Sequence, residues 1–158
     1  MLTKSKTNKK ERPIKILQFG EGNFLRGFVD YMVDIANEKG EFDGDIIIVK
    51  PREHGDLSQF KVQDCQYTVS LRGLINGKAT IKNRIITSIS EAISAYKDYD
   101  TYSLLSQLDT LRYIVSNTTE AGIVYEETDE FDMKPPKSFP GKVAQFLYKR
   151  YKFFNGSS

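Results

Sequence analysis

One stretch limits the folds open to this chain: Ile14-Lys15-Ile16-Leu17-Gln18-Phe19 runs into Gly20-Glu21-Gly22-Asn23-Phe24-Leu25-Arg26-Gly27-Phe28. Ile14 to Phe19 is an apolar run long enough for a strand and too short for a helix. Gly20 can take the tight turn that leaves it. Gly22, with no Cβ, lets a phosphate approach the backbone. A helix that follows would aim free N–H groups and the positive end of its dipole at that phosphate. Strand, glycine turn and helix in this order can open a dinucleotide site. An ordinary strand–turn–helix corner looks much the same. The third glycine of G-x-G-x-x-G is Leu25 here, and the next glycine, Gly27, falls two residues late.

The rest of the chain supplies the sheet that such a turn needs. Phe24, Phe28, Tyr31, Met32 and Ile35 recur at helical spacing and predict a helix over 23–38, ended by Gly40, with this stripe in the core. Asp45-Ile46-Ile47-Ile48-Val49 is apolar on both faces, as a parallel strand covered by helices must be. Residues 53–64 lack periodicity and read as a loop. Tyr67, Val69 and Leu71 alternate with polar residues, and Asn76-Gly77 is a turn signal. An antiparallel hairpin is therefore expected, returning through Ala79, Ile81 and residues 84–87. Residues 90–97 and 101–108 are expected to be helical, and 112–116 a further strand. Residues 126–132 are acidic and precede Pro135-Pro136, as in an exposed excursion. Pro140 suits the first turn of a last helix, whose apolar stripe is Val143, Phe146, Leu147 and Tyr151.

Where an open α/β sheet binds an adenosine ribose, an acidic residue at the end of the second strand would hold the 2′-hydroxyl. This chain has Lys50-Pro51-Arg52 there. The two cations could meet a 2′-phosphate, or Lys50 could simply close the adenosine pocket. Arg26 falls on the first helical turns, either solvated or in contact with ligand. Asn117-Thr118-Thr119-Glu120 follows a strand end, where such sheets bind ligands and where surface loops also favour Asn and Thr.

Three motifs carry a resemblance. Phe19-Gly20-Glu21-Gly22-Asn23-Phe24-Leu25-Arg26-Gly27 is similar to the nucleotide loop of the long-chain mannitol dehydrogenase family. Residues 116–123, Ser-Asn-Thr-Thr-Glu-Ala-Gly-Ile, and residues 138–143, Ser-Phe-Pro-Gly-Lys-Val, resemble two more of its signatures, in the same order. The resemblance runs from about Ile14 to Asn155 and is nearest to members acting on sugar acids. It implies an α/β, Rossmann-like fold: a mostly parallel sheet with helices on both faces and an added antiparallel hairpin. It implies NAD as cofactor, with NADP permitted by the local cations. The implied cofactor-binding residues are Phe19, Gly20, Glu21, Gly22, Asn23, Phe24, Leu25, Arg26, Lys50, Asn117 and Thr118. It further implies hydride transfer between NAD(H) and a sugar acid. The family's catalytic lysine, with asparagine and histidine neighbours, belongs to a helical C-terminal domain. Its residues are expected to be absent here, so this chain alone is expected to bind dinucleotide without turnover. An NAD(H)-sensing module and a non-binding interaction domain are the other readings.

Composition narrows the classes. A net charge of +2 gives no case for nucleic acid, because Lys4, Lys6, Lys9, Lys10 and Arg12 cluster ahead of the first strand. Residues 1–12 are expected to be a disordered basic leader, and residues 13–158 a single NAD(P)-binding domain. No run approaches the ~20 apolar residues of a membrane span. The lone Cys65 suits a reducing, cytoplasmic compartment, and with the lone His54 it makes no zinc site. No catalytic residue is assigned, and no Ser–His–Asp set or acid/base pair stands out. His54 reads as a surface residue and Cys65 as a small buried one.

Overall fold

The glycine turn sits at the carboxyl edge of a parallel sheet. The computed structural model describes residues 2, 7 and 9–155. Strand β1 (Ile14–Phe19) pairs with β2 (Asp45–Lys50) on one side and with β6 (Tyr113–Ser116) on the other. Strand β5 (Ile89–Ser94) pairs with the far side of β2, giving the order β5-β2-β1-β6, all parallel. The chain thus builds outward from β1 in one direction and then returns to its other side. The register sets Phe19 opposite both Val49 and Ser116, so the strand ends and the loops after them lie level.

Alternation divides the core. Leu17, Phe19, Ile47, Val49 and Ile93 face one side, where Tyr102, Leu105, Leu111 and Phe146 cover them. Ile16, Ile46, Ile48, Ile89 and Ala92 face the other, under Leu57, Phe60, Cys65 and Ile86. Two-residue periodicity sends neighbours to opposite faces, and helices on both faces explain why β2 is buried throughout. The covering elements of the first face are α4 (Tyr99–Leu104), the 3-10 turn Leu105–Gln107 and α5 (Phe139–Asn155). Among the described residues no helix is long and apolar enough to cross a membrane.

Several expectations change. The helix over 23–38 is two: α1 (Asn23–Gly27) and α2 (Val29–Lys39), separated at Phe28 (φ −119°, ψ −70°) and ended by Gly40 in the left-handed conformation. Its apolar stripe enters the core only in part: Tyr31 packs half-buried against the second core cluster. Phe24, Phe28 and Met32 are 58 %, 49 % and 53 % exposed, and the buried positions of α2 are Asp30 and Asp34. The reason lies in the hairpin β3 (Tyr67–Ile75) and β4 (Lys78–Ile86). Arg84 Nε donates to Asp34 at 2.7 Å, the Thr87 backbone N–H donates to the same carboxylate at 2.7 Å, and Tyr67 Oη donates to Asp30 at 2.7 Å. The base of the hairpin claims the acidic face of the helix.

Residues 90–97 are mainly strand: β5 takes the position beside β2. The apolar residues Ile89, Ala92 and Ile93 mimic helical spacing because they fill opposite faces of a strand covered on both sides. The expected loop over 53–64 contains a short helix, α3 (Ser58–Val62). The helix over 101–108 begins earlier and tightens to a 3-10 turn. Half of the expected leader lies outside the described residues; within them Arg12 pairs with Asp45 at 3.2 Å and Lys9 donates to the Asp64 carbonyl at 3.2 Å.

Candidate dinucleotide cleft

The loops beyond the strand ends enclose an open cleft of about 770 Å³. From β1 it takes Phe19, Gly20, Glu21, Gly22 and Asn23. From β2 it takes Pro51 and Arg52, and from the end of β5, Tyr96. From β6 it takes Ser116, Asn117 and Thr118, and from the start of α5, Ser138, Phe139 and Lys142. Five chain segments far apart in sequence thus meet where the strand order reverses, the place open α/β sheets use for ligands.

Gly20 leaves β1 at φ +109°, a conformation that side chains resist, while its N–H extends the ladder to the Val49 carbonyl at 3.0 Å. Gly22 differs. Its φ is −68° and a Cβ would meet nothing within 4 Å, so neither backbone nor packing requires glycine there. The empty space lies over the cleft. The first intrahelical bond runs from the Arg26 N–H to the Gly22 carbonyl at 3.2 Å, so the amides of Asn23, Phe24 and Leu25 precede any intrahelical partner. Across the cleft a Cβ on Gly122 would lie 2.0 Å from Thr118 Oγ1, so the 3-10 turn Glu120–Gly122 needs glycine to leave Thr118 in place.

The predicted site residues divide. Phe19, Gly20, Glu21, Gly22, Asn23, Asn117 and Thr118 meet at the cleft. Leu25 is buried beneath the turn, its Cδ1 3.7 Å from where a Gly20 Cβ would be. Phe24 points outward and packs on Phe28, ring centroids 5.4 Å apart. Arg26 turns away over the rings of Phe60 and Tyr67, 5.8 and 5.4 Å from their centroids. Lys50 is buried, and its Nζ donates to the carbonyls of Arg52, Glu53 and His54 at 2.5, 3.3 and 2.6 Å. Its ammonium is therefore the staple of the loop that carries Arg52 to the cleft.

Beneath the glycine turn lies a buried polar cluster. Asp30 is fully buried, and burial pushes its carboxyl up to about 6 despite the hydrogen bond from Tyr67 and the neighbouring Gln18 and Arg26. Asp30 Oδ1 and Gln18 Oε1 both lack hydrogen-bond partners. Tyr67 is driven upward by burial and by the Asp30 charge, so its phenol stays protonated. This cluster fixes α1 and α2 to the hairpin and does not open to the cleft.

Tyr96 and Lys142 were not legible as site residues. Lys142 stands on the inward stripe of α5 with Phe139, Val143 and Phe146, and a lysine at that spacing is the available signal of a buried cation. A smaller cavity of about 250 Å³ lies outside the cleft, rimmed by Glu126, Asp129 and Glu130. Its acids would repel a phosphate.

Comparison with known proteins agrees with this geometry. Residues 14–157 match the family described as Mannitol dehydrogenase Rossmann domain. The chain is 47 % identical over 144 residues to an altronate oxidoreductase of Bacillus subtilis, covering 91 % of this chain and 30 % of that protein. It is 43 % identical over 155 residues to an altronate oxidoreductase of Phocaeicola vulgatus, covering 98 % of this chain and 32 % of that one. The chain thus spans about a third of the length of these curated relatives. Its fold is shared with Pseudomonas fluorescens mannitol 2-dehydrogenase, solved as a ternary complex with NAD and D-mannitol. The TM-score is 0.74 at 20 % identity, covering 89 % of this chain and 31 % of that one.

Proposed function

The chain belongs to the mannitol dehydrogenase family, as its Rossmann domain, and from that premise we propose that it is the dinucleotide-binding part of an NAD-dependent oxidoreductase acting on a sugar acid. The observation that carries the reading is the open backbone at Gly22, which neither fold nor packing requires to be glycine, facing the cleft at the strand-order reversal. A bound pyrophosphate is the group that would use that space.

In this reading the amides of residues 22–25 receive the pyrophosphate, Arg52 lies at the adenosine end, and Asn117 and Thr118 line the wall beside β1. Lys50 holds the Arg52 loop rather than touching ligand. Phe19 closes the floor, packed edge-on against Phe139 at 5.4 Å. The residues present fit a dinucleotide: the glycine geometry leaves room for a phosphate, and the 2′-position faces an exposed Arg52 rather than a ribose-binding acid. NAD is preferred over NADP because Arg52 is the single cation of the 50–52 stretch that reaches the cleft, and it is exposed. When bound, the nicotinamide supplies the hydride chemistry. The residues of this chain bind and orient. The relatives' name points to the interconversion of tagaturonate and altronate, with the acid/base group on the portion of the relatives that this chain does not span. Residues 13–158 act as one binding domain, in the cytoplasm.

The test is titration of the chain with NADH and with NADPH at one ionic strength, read by nicotinamide fluorescence. Saturable binding with NADH tighter, and little change in NADH affinity for Arg52→Ala, is expected. Absence of saturable NADH binding would overturn the proposal. Tighter NADPH binding, lost in Arg52→Ala, would overturn the cofactor preference.

A further inference from the structure

Lys142 lines the cleft yet is only 1 % exposed. Its Nζ donates to the carbonyls of Lys137 and Ser138 at 2.7 and 3.3 Å and to Tyr96 Oη at 3.1 Å. It also lies 4.7 Å from the Tyr96 ring centroid. Every one of these partners is neutral. Among the described residues no carboxylate comes within the 4.0 Å of an ion pair with it. Asp129, the acid whose charge it feels, is engaged elsewhere. It accepts from the backbone N–H groups of Lys137 at 2.6 Å and Ser138 at 3.0 Å, and from the Ser138 hydroxyl, at the start of α5. Glu53, on the loop after β2, acts on Tyr96; Arg52 on the same loop and Lys137 just ahead of α5 add positive charge to the lining, and Glu21 on the glycine turn is the acid it contains. A buried cation without a counter-charge is costly to fold. Such a cost is understandable where a ligand brings the missing charge.

We propose that Lys142 is a binding residue of this cleft, a buried cation whose counter-charge is the phosphate of the bound dinucleotide. The inference rests on the dinucleotide reading above. The three donors of Lys142 are already engaged, so it acts as a charge through poorly solvated space rather than by a direct hydrogen bond. Burial lowers its ammonium to about 8, with Asp129 opposing. A phosphate nearby raises that value again. The sign follows: binding is insensitive to pH well below 8, and above it binding must take up a proton and weakens as pH rises.

The experiment is NADH titration of the 158-residue chain at about pH 7 and about pH 9.5 at constant ionic strength. Calorimetry near pH 8.5 in two buffers of different ionisation enthalpy accompanies it. We expect affinity to fall roughly tenfold or more across that range, with net proton uptake on binding. Lys142→Met should bind more weakly at neutral pH and lose the pH dependence. A dependence that persists in a folded Lys142→Met protein would overturn the assignment. So would pH-independent binding by the parent, a measurement that requires no variant to fold. NADH binding without the pH dependence removes Lys142 alone, whereas no NADH binding at any pH removes the dinucleotide reading and this inference with it.

Discussion

Replacing Gly22 by valine separates fold from function at one position. The backbone there has φ −68° and ψ 155°, which valine adopts readily, and nothing lies within 4 Å of the new Cβ. Gly22 also stands at the N-cap of α1, where valine is a poorer residue than glycine. Against that, losing glycine restricts the unfolded chain and favours folding by about 0.4–1 kcal/mol. The two effects oppose, and the melt should shift by no more than about 1 kcal/mol in stability. Binding has no such compensation. The isopropyl group would occupy the space over the amides of residues 22–25. Excluding phosphate from one or two charge-assisted hydrogen bonds at ~1.5–3 kcal/mol each weakens NADH by about tenfold to more than a hundredfold. The assay pairs calorimetric titration with thermal denaturation. Gly20→Ala is the contrasting control: at φ +109° it should cost about 1–3 kcal/mol in stability. A Gly22→Val protein that melts like the parent and binds NADH equally well would refute the placement of the phosphate.

Other outcomes follow from the same structure. Asp30→Asn should stabilise the domain at pH 8 by on the order of 1–3 kcal/mol. Burial raises the carboxyl to about 6, and an amide nitrogen can donate to the orphaned Gln18 Oε1. Because the folded value lies above the unfolded one, parental stability from this group is full below about pH 4 and is lost as pH rises through about 6. The advantage of the variant should therefore vanish by pH 4, and melts at the two pH values decide it. Lys50→Met should lower stability by about 1–3 kcal/mol through the released loop carbonyls while leaving the NADH-to-NADPH affinity ratio unchanged. A ratio changed beyond what Arg52→Ala produces would place Lys50 at the ligand. The purified 158-residue chain with NADH and tagaturonate should show no turnover above a boiled control by absorbance. Clear turnover would put acid/base chemistry within these residues.

Much of the sheet was legible because its strands are short apolar runs. Ile14–Phe19 and Ile46–Val49 are too short for helices and too apolar for edges. Asn76-Gly77 announced the hairpin turn, where Asn76 and Gly77 have φ of 51° and 75°. Strand β5 was misread because a strand covered on both faces has no alternation, so Ile89, Ala92 and Ile93 imitate a helical stripe. The first helices failed for a tertiary reason. Of the expected stripe Tyr31 packs on the core, but Tyr67 and Arg84, some forty to fifty residues away, pull Asp30 and Asp34 inward and leave Phe24, Phe28 and Met32 exposed. The site divides in the same way. Its backbone parts, Gly20, Gly22, Asn117 and Thr118, were marked by glycine chemistry and family motifs. Lys50, expected at the ligand, instead staples its own loop, since local carbonyls capture its ammonium. Tyr96 and Lys142 meet only because β5 and the start of α5 converge, which no local pattern encodes.

The central claim is that a dinucleotide lies across the glycine turn and the end of β6. Backbone amide chemical shifts of the labelled chain, followed during titration with NAD, test it most directly. The account predicts saturable shifts for Gly20 to Asn23 and for Ser116 to Thr119, at one common affinity. The tip of the hairpin at Asn76 and Gly77 should stay still. No saturable shifts, or shifts confined to the acid-rimmed cavity around Asp129 and Phe131, would contradict it.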